Sequence, residues 1–97
     1  MSAEKVYALI GFAYKASKCV AGSCAVLNAC KRKKAKLVIT DGCSENTVKK
    51  VSRYSIGILA LDGNRLGDAL GNDVRIAAIT DRAFKEAITR AYMAQTE

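Results

Sequence analysis

The sequence contains no histidine, no proline and no tryptophan. The missing histidine removes the commonest general base and the commonest metal ligand. Without proline, punctuation falls to glycines such as Gly22, Gly42, Gly57, Gly63, Gly67 and Gly71. Aromatic residues are only 6% of the chain, and Phe12, Tyr14 and Tyr54 form no pattern for stacking single-stranded bases. No apolar run approaches the roughly 18 residues of a membrane helix. The amino terminus lacks the basic start, unbroken apolar stretch and small-residue cleavage site of a signal peptide. Neither a G-x-G-x-x-G after a strand nor a G-x-x-x-x-G-K-S/T is present, so no phosphate-cradling loop is encoded. These absences argue against an enzyme and imply no metal, no cofactor and no membrane partner. The expected location is cytoplasmic. The spacing of Cys19, Cys24, Cys30 and Cys43 fits neither a redox pair nor a zinc site, so free thiols, buried or partly buried, are expected.

What is present suits one globular domain spanning residues 1–97: 51% hydrophobic and 26% charged residues exclude a disordered chain. The net charge is +7, and its placement is uneven. Residues 1–50 carry ten Lys or Arg against three Asp or Glu, while residues 51–97 carry six of each. Excess charge confined to one half points to a polyanion meeting one face.

Hydrophobic periodicity predicts a helix from about Ala3 to Ser17, then a short strand at Cys19–Ala21. A second helix starts at Gly22-Ser23, with the Ser23 hydroxyl as its expected cap, and runs to about Lys34. Lys36–Thr40 reads as a strand covered on both faces. Ser44 is placed to cap a third helix, with Glu45 in its first turn. A strand at Ile56–Leu61, a short helix ending at Gly71, a strand at Val74–Thr80 and a last helix capped by Asp81 follow. Alternation of this kind predicts an α/β fold with helices on both faces of one mixed or parallel sheet. Asp41, Asp62 and Asp81 each follow a strand and precede a helix, where capping is a more ordinary role than catalysis.

Two anion-attracting places stand out. One is the basic run Lys31, Arg32, Lys33 and Lys34, with Lys36 beyond it. The other is the junction of Lys18, Gly22 and Ser23, where an anion meets free N–H groups at the start of a helix.

From Leu9 to Ile88 the sequence resembles the L-seven-Ae/L-thirty-e ribosomal protein family, specifically its short bacterial members of YlxQ type. The resemblance rests on A-Y-K-A-S-K-C-V-A-G at 13–22, A-V-L-N-A at 25–29, K-A-K-L-V-I-T-D at 34–41, S-E-N-T-V-K-K-V at 44–51, L-G-D-A-L-G at 66–71 and I-A-A-I-T-D at 76–81. It implies a three-layer α/β/α sandwich with a central four-stranded mixed sheet. It further implies binding to kink-turn RNA, a sharply bent duplex with sheared G·A pairs beside a bulge, in ribosomal RNA or elsewhere, with the ribosome as a further partner. In the family the start of helix two enters the groove beside those pairs, and the loop before the last strand covers a flipped-out nucleotide.

The candidate RNA-binding set is Lys18, Gly22, Ser23, Cys24, Asn28, Lys31, Arg32 and Arg75: the charge pattern and the helix ends supply Lys18, Gly22, Ser23, Lys31 and Arg32, and the resemblance points again to Gly22 and adds Cys24, Asn28 and Arg75. The family's Gly-x-Asn-Glu-x-x-Lys motif, or its Lys-Gln variant, is altered here to Gly22-Ser23-Cys24-Ala25-Val26-Leu27-Asn28. Cys24 and Ala25 cannot make the polar base contacts, and Asn28 lacks the lysine charge. Weaker kink-turn binding or a different RNA is the consequence. The alternative is a protein-interaction module on the same fold. Changing Gly22 to Glu is expected to weaken RNA binding with little effect on folding.

Overall fold

The computed structural model describes residues 3–42, 45–54, 56–61, 65–71 and 74–95. Ser44 and its expected cap, Cys43, and the Asp62-Gly63 turn lie outside them. The elements are α1 (Ala3–Lys15), β1 (Cys19–Ala21), α2 (Ser23–Lys31), β2 (Leu37–Asp41), α3 (Glu45–Ser52), β3 (Ile58–Leu61), α4 (Leu66–Leu70), β4 (Ile76–Ile79) and α5 (Arg82–Gln95).

The strands form one mixed sheet in the order β1-β4-β2-β3. β4 runs antiparallel to β1 and β2, and β2 runs parallel to β3. Side chains alternate across the pleat. Leu37, Ile39, Ala77 and Ile79 face one apolar layer with Val6, Ile10, Leu66 and Ile88, which come from α1, α4 and α5. Val38, Ile76 and Ala78 face the other layer with Val26 and Val51, from α2 and α3. The result is the expected α/β/α sandwich. All five residues of β2 are buried, as a strand covered on both faces requires. Ile10, Ile39, Leu66, Ile79 and Ile88 are wholly buried, each worth roughly 1.5–3 kcal/mol of transfer free energy. No described helix is long and apolar enough to cross a membrane.

Two helices end earlier than periodicity suggests, for one reason. The chain leaves α1 with Ser17 in the left-handed region (φ 62°) and leaves α2 with Lys33 there (φ 60°). Each is followed by an N–H reaching back five residues, Lys18 to Ala13 at 2.8 Å and Lys34 to Ala29 at 2.9 Å. These are Schellman closures at which glycine is the usual occupant. Without a glycine, the sequence hides them. Gly71, by contrast, holds the left-handed cap of α4 as expected (φ 73°). Asp81 also acts as expected, accepting the Phe84 N–H at the start of α5 at 3.1 Å.

β1, β2 and β3 point the same way, and the helix before or after each returns antiparallel to it. One end of the molecule therefore collects the carboxyl ends of α1, α2 and α3, and the opposite end collects the amino end of α2.

Candidate nucleic-acid interface

The amino end of α2 is built by the strand before it. The Gly22 N–H donates to the Ile76 carbonyl at 2.9 Å, continuing the β1–β4 ladder by one residue. The backbone then turns at φ 92°, ψ 150°, and Gly22 is the N-cap. This corrects the expected cap: Ser23 is already the first helical residue, so its hydroxyl is past the capping position and no side chain caps α2. The first intrahelical bond is Val26 N–H to Gly22 carbonyl at 3.0 Å. The N–H groups of Ser23, Cys24 and Ala25 therefore have no acceptor among the described residues. Ser23 and Cys24 are exposed, and no described residue lies within 4 Å of where a Gly22 Cβ would sit. Among the described residues the helix end is open.

Arg75 comes to the same place. It directly precedes Ile76, whose carbonyl receives Gly22, and its side chain is exposed. Its own carbonyl accepts the Asp41 N–H at 2.8 Å, which fixes the start of β4 against the end of β2. Among the described residues the one acidic group buried nearby, Asp41, is turned away into the fold: its Oδ2 accepts from Arg65 N–H and Leu66 N–H at 2.8 and 2.9 Å. Cys24 and Asn28, four residues apart, share an exposed face of α2.

Lys18, expected beside Gly22 and Ser23, lies elsewhere. Its carbonyl accepts the Thr80 N–H, which places it at the far end of β1. An extended strand advances ~3.3 Å per residue, so four residues separate Lys18 from Gly22 by roughly 13 Å. Lys31 and Arg32 are also distant, at the carboxyl end of α2, the end of the molecule at which Lys18 also lies. The topology thus places Gly22, Ser23, Cys24 and Arg75 at one end, with Asn28 on the α2 face that leads from it, and Lys18, Lys31 and Arg32 at the other. The backbone at Gly22 also corrects the expected innocence of Gly22→Glu. Its conformation is essentially reserved for glycine, so any side chain there strains the fold although space is available.

The thiols divide by burial. Cys19 is buried and its pKa is pushed up to about 12 by burial; its Sγ lies 3.7 Å from the Val20 carbonyl, as a thiol donor would. Cys30 is buried and raised for the same reason. Cys24 is exposed. Among the described residues no group of three His, Cys, Asp or Glu is placed to hold a metal. A cleft of about 410 Å³ between α1 and α4, lined in part by Tyr7, Gly11, Phe12 and Arg65, went unseen in the sequence. Arg65 sits over the Tyr7 ring at 5.6 Å, a contact between distant segments that leaves no periodic signal.

No protein-family model matches the chain. It is 33% identical over 91 residues to the RNA-binding protein YlxQ of Bacillus subtilis (strain 168), covering 87% of this chain and 91% of that protein. Among solved structures, a protein of unknown function from Bacillus halodurans C superposes with a TM-score of 0.80 at 24% identity, over 92% of this chain and 97% of that one. The Giardia lamblia 15.5kD RNA binding protein superposes with a TM-score of 0.73 at 16% identity, over 96% and 86%. Both likenesses are of fold.

Proposed function

The chain belongs to the L-seven-Ae/L-thirty-e family as a relative of YlxQ, and from that premise we propose that it binds structured RNA at the amino end of α2. It is a binding protein rather than an enzyme. The observation that carries the proposal is the open helix start: free N–H groups on Ser23, Cys24 and Ala25, at the positive end of the helix dipole, beside exposed Arg75. Such a site suits a phosphate, and Arg75 adds a cation that can grip one bidentately. Asn28, on the same helix face as Cys24, offers both a donor and an acceptor to a base edge. Ala25 offers neither and the Cys24 thiol only a weak donor and acceptor, so shape and backbone contribute more than base edges do.

The RNA proposed is a kink-turn, in ribosomal RNA or another cytoplasmic transcript, and the ribosome is the larger partner in which such an element resides. The test is titration of a kink-turn RNA against a control with its G·A pairs replaced. Losing one bidentate base contact costs about 1–3 kcal/mol, roughly 5- to 150-fold in discrimination, so the expected preference for the kink-turn is smaller by that factor than an intact motif would give. Equal affinity for both RNAs contradicts kink-turn recognition. Absence of binding to either at low salt contradicts the RNA proposal itself.

A further inference from the structure

Among the described residues, the densest positive charge is not at the helix start proposed to hold RNA. At that end the described charges nearly balance: Lys5, Arg65 and Arg75 against Glu4, Asp41, Glu45 and Asp68. At the opposite end, α2 closes in Lys31, Arg32, Lys33 and Lys34, all exposed. Lys18 and Lys36 flank the end of β4 there, through the Thr80 N–H to Lys18 carbonyl bond at 2.9 Å and the Lys36 N–H to Ile79 carbonyl bond at 2.7 Å. Two strand spacings set their backbones about 10 Å apart. None of these six cations has a carboxylate partner among the described residues. Asp81, at the same end, is engaged by the Phe84 N–H, and Glu86 lies four residues from each of Arg82 and Arg90.

Helix dipoles explain a cation or two here, since α1, α2 and α3 all finish at this end. They do not explain six cations without a carboxylate partner across the α1–β1 and α2–β2 connections. The outer face of α2 joins the two ends. Cys24, Asn28 and Arg32 repeat at four-residue spacing along it, and all three are exposed. The helix is nine residues long, ~13 Å at 1.5 Å per residue, so a nucleic-acid backbone leaving the helix start meets the basic end without a break in accessible surface.

We propose that the Lys31–Lys36 end, with Lys18, is a second contact for the same RNA: it holds the phosphate backbone of the duplex stem that flanks the element bound at the amino end of α2. This extends the proposed function and rests on RNA being held at that helix start. The basic end contacts phosphates and reads no sequence. It supplies the charge that the helix start lacks.

The test compares a kink-turn RNA carrying a short flanking stem with one whose stem is longer by about one helical turn. Three full-length proteins are titrated over a range of salt: the wild type, a triple variant Lys31→Gln, Arg32→Gln, Lys34→Gln, and Cys24→Glu. Thermal unfolding checks that each variant folds. The wild type gains affinity from the longer stem, with a steeper salt dependence. The triple variant keeps short-stem affinity but loses the gain, and its slope of log K against log salt flattens by about 3, one unit for each lost phosphate contact. A stem gain that survives in the triple variant, or no gain in the wild type, overturns the inference and leaves the helix start untouched. Wild-type affinity of Cys24→Glu for both RNAs overturns the helix start instead, and with it the idea that the basic end serves RNA held there.

Discussion

Tyr7 on α1 donates its hydroxyl hydrogen to Oδ2 of Asp41, the buried last residue of β2, at 3.1 Å. The same oxygen accepts the N–H groups of Arg65 and Leu66, so Asp41 caps α4 rather than α3, the helix that follows it in sequence. One carboxylate thereby ties α1, β2 and α4 together behind the start of β4. Removing it leaves two backbone donors without a partner. Asp41→Ala is expected to destabilise the fold by about 3 kcal/mol, and Tyr7→Phe by only about 1 kcal/mol because the N–H groups stay paired. Urea denaturation ranks the two; equal losses would deny Asp41 its capping role.

A negative charge in the first turn of α2 separates folding from binding. Cys24 is exposed and helical, so Cys24→Glu faces the positive end of the dipole and should leave stability unchanged or raise it by up to about 1 kcal/mol. The same carboxylate repels a phosphate, and RNA affinity should fall at least about tenfold. Gly22→Glu does not separate the two, because its backbone strain destabilises the fold directly. Thermal unfolding and RNA titration of both variants check the contrast.

Cys19 makes stability depend on alkaline pH. Burial raises its folded pKa from 9.0 to about 12, so between those values the unfolded chain has lost a proton that the folded chain keeps. Stability is unaffected by this group below pH ~9 and falls as the pH rises from there toward 12. A Cys19→Ala variant should show a shallower alkaline decline. In a Cys43→Ser background, native labelling with a thiol reagent should modify Cys24 alone, and unfolding should add Cys19 and Cys30. Fast native labelling of Cys19 would contradict its burial.

The left-handed residues predict a gain from glycine. A side chain at that conformation costs about 1–2 kcal/mol, partly offset by the extra unfolded-state freedom of glycine. Ser17→Gly and Lys33→Gly should each stabilise by about 0.5–1 kcal/mol, while alanine at either position should not. Denaturation midpoints of the glycine and alanine pairs decide it.

The sandwich was legible in the sequence because its signals are local: the unbroken Leu37-Val38-Ile39 run, the Asp81 cap and Gly71 after Leu70 each act within a few residues. What was hidden depends on distance or on an unfavourable choice. Ser17 and Lys33 end their helices in a conformation their side chains resist, so no residue type announces the turn. Asp41 looked like an ordinary cap and is one, but of a helix on the other side of the sheet. Lys18 looked like a neighbour of Gly22 because the first helix was expected to end shortly before the second begins; the extended strand between them sets the two residues roughly 13 Å apart. Gly22 itself was read as a helix start and matches the motif at the same place, and its glycine-only conformation gives that placement a physical reason.

The most direct test of RNA docking at the amino end of α2 is amide chemical-shift mapping of the protein during titration with a structured RNA. The N–H resonances of Ser23, Cys24 and Ala25 should move furthest, with Arg75 among the next, as free donors acquire phosphate acceptors. Saturable RNA binding that leaves those three amides in place, with the shifts confined to the Lys31–Lys36 end or elsewhere, would contradict it.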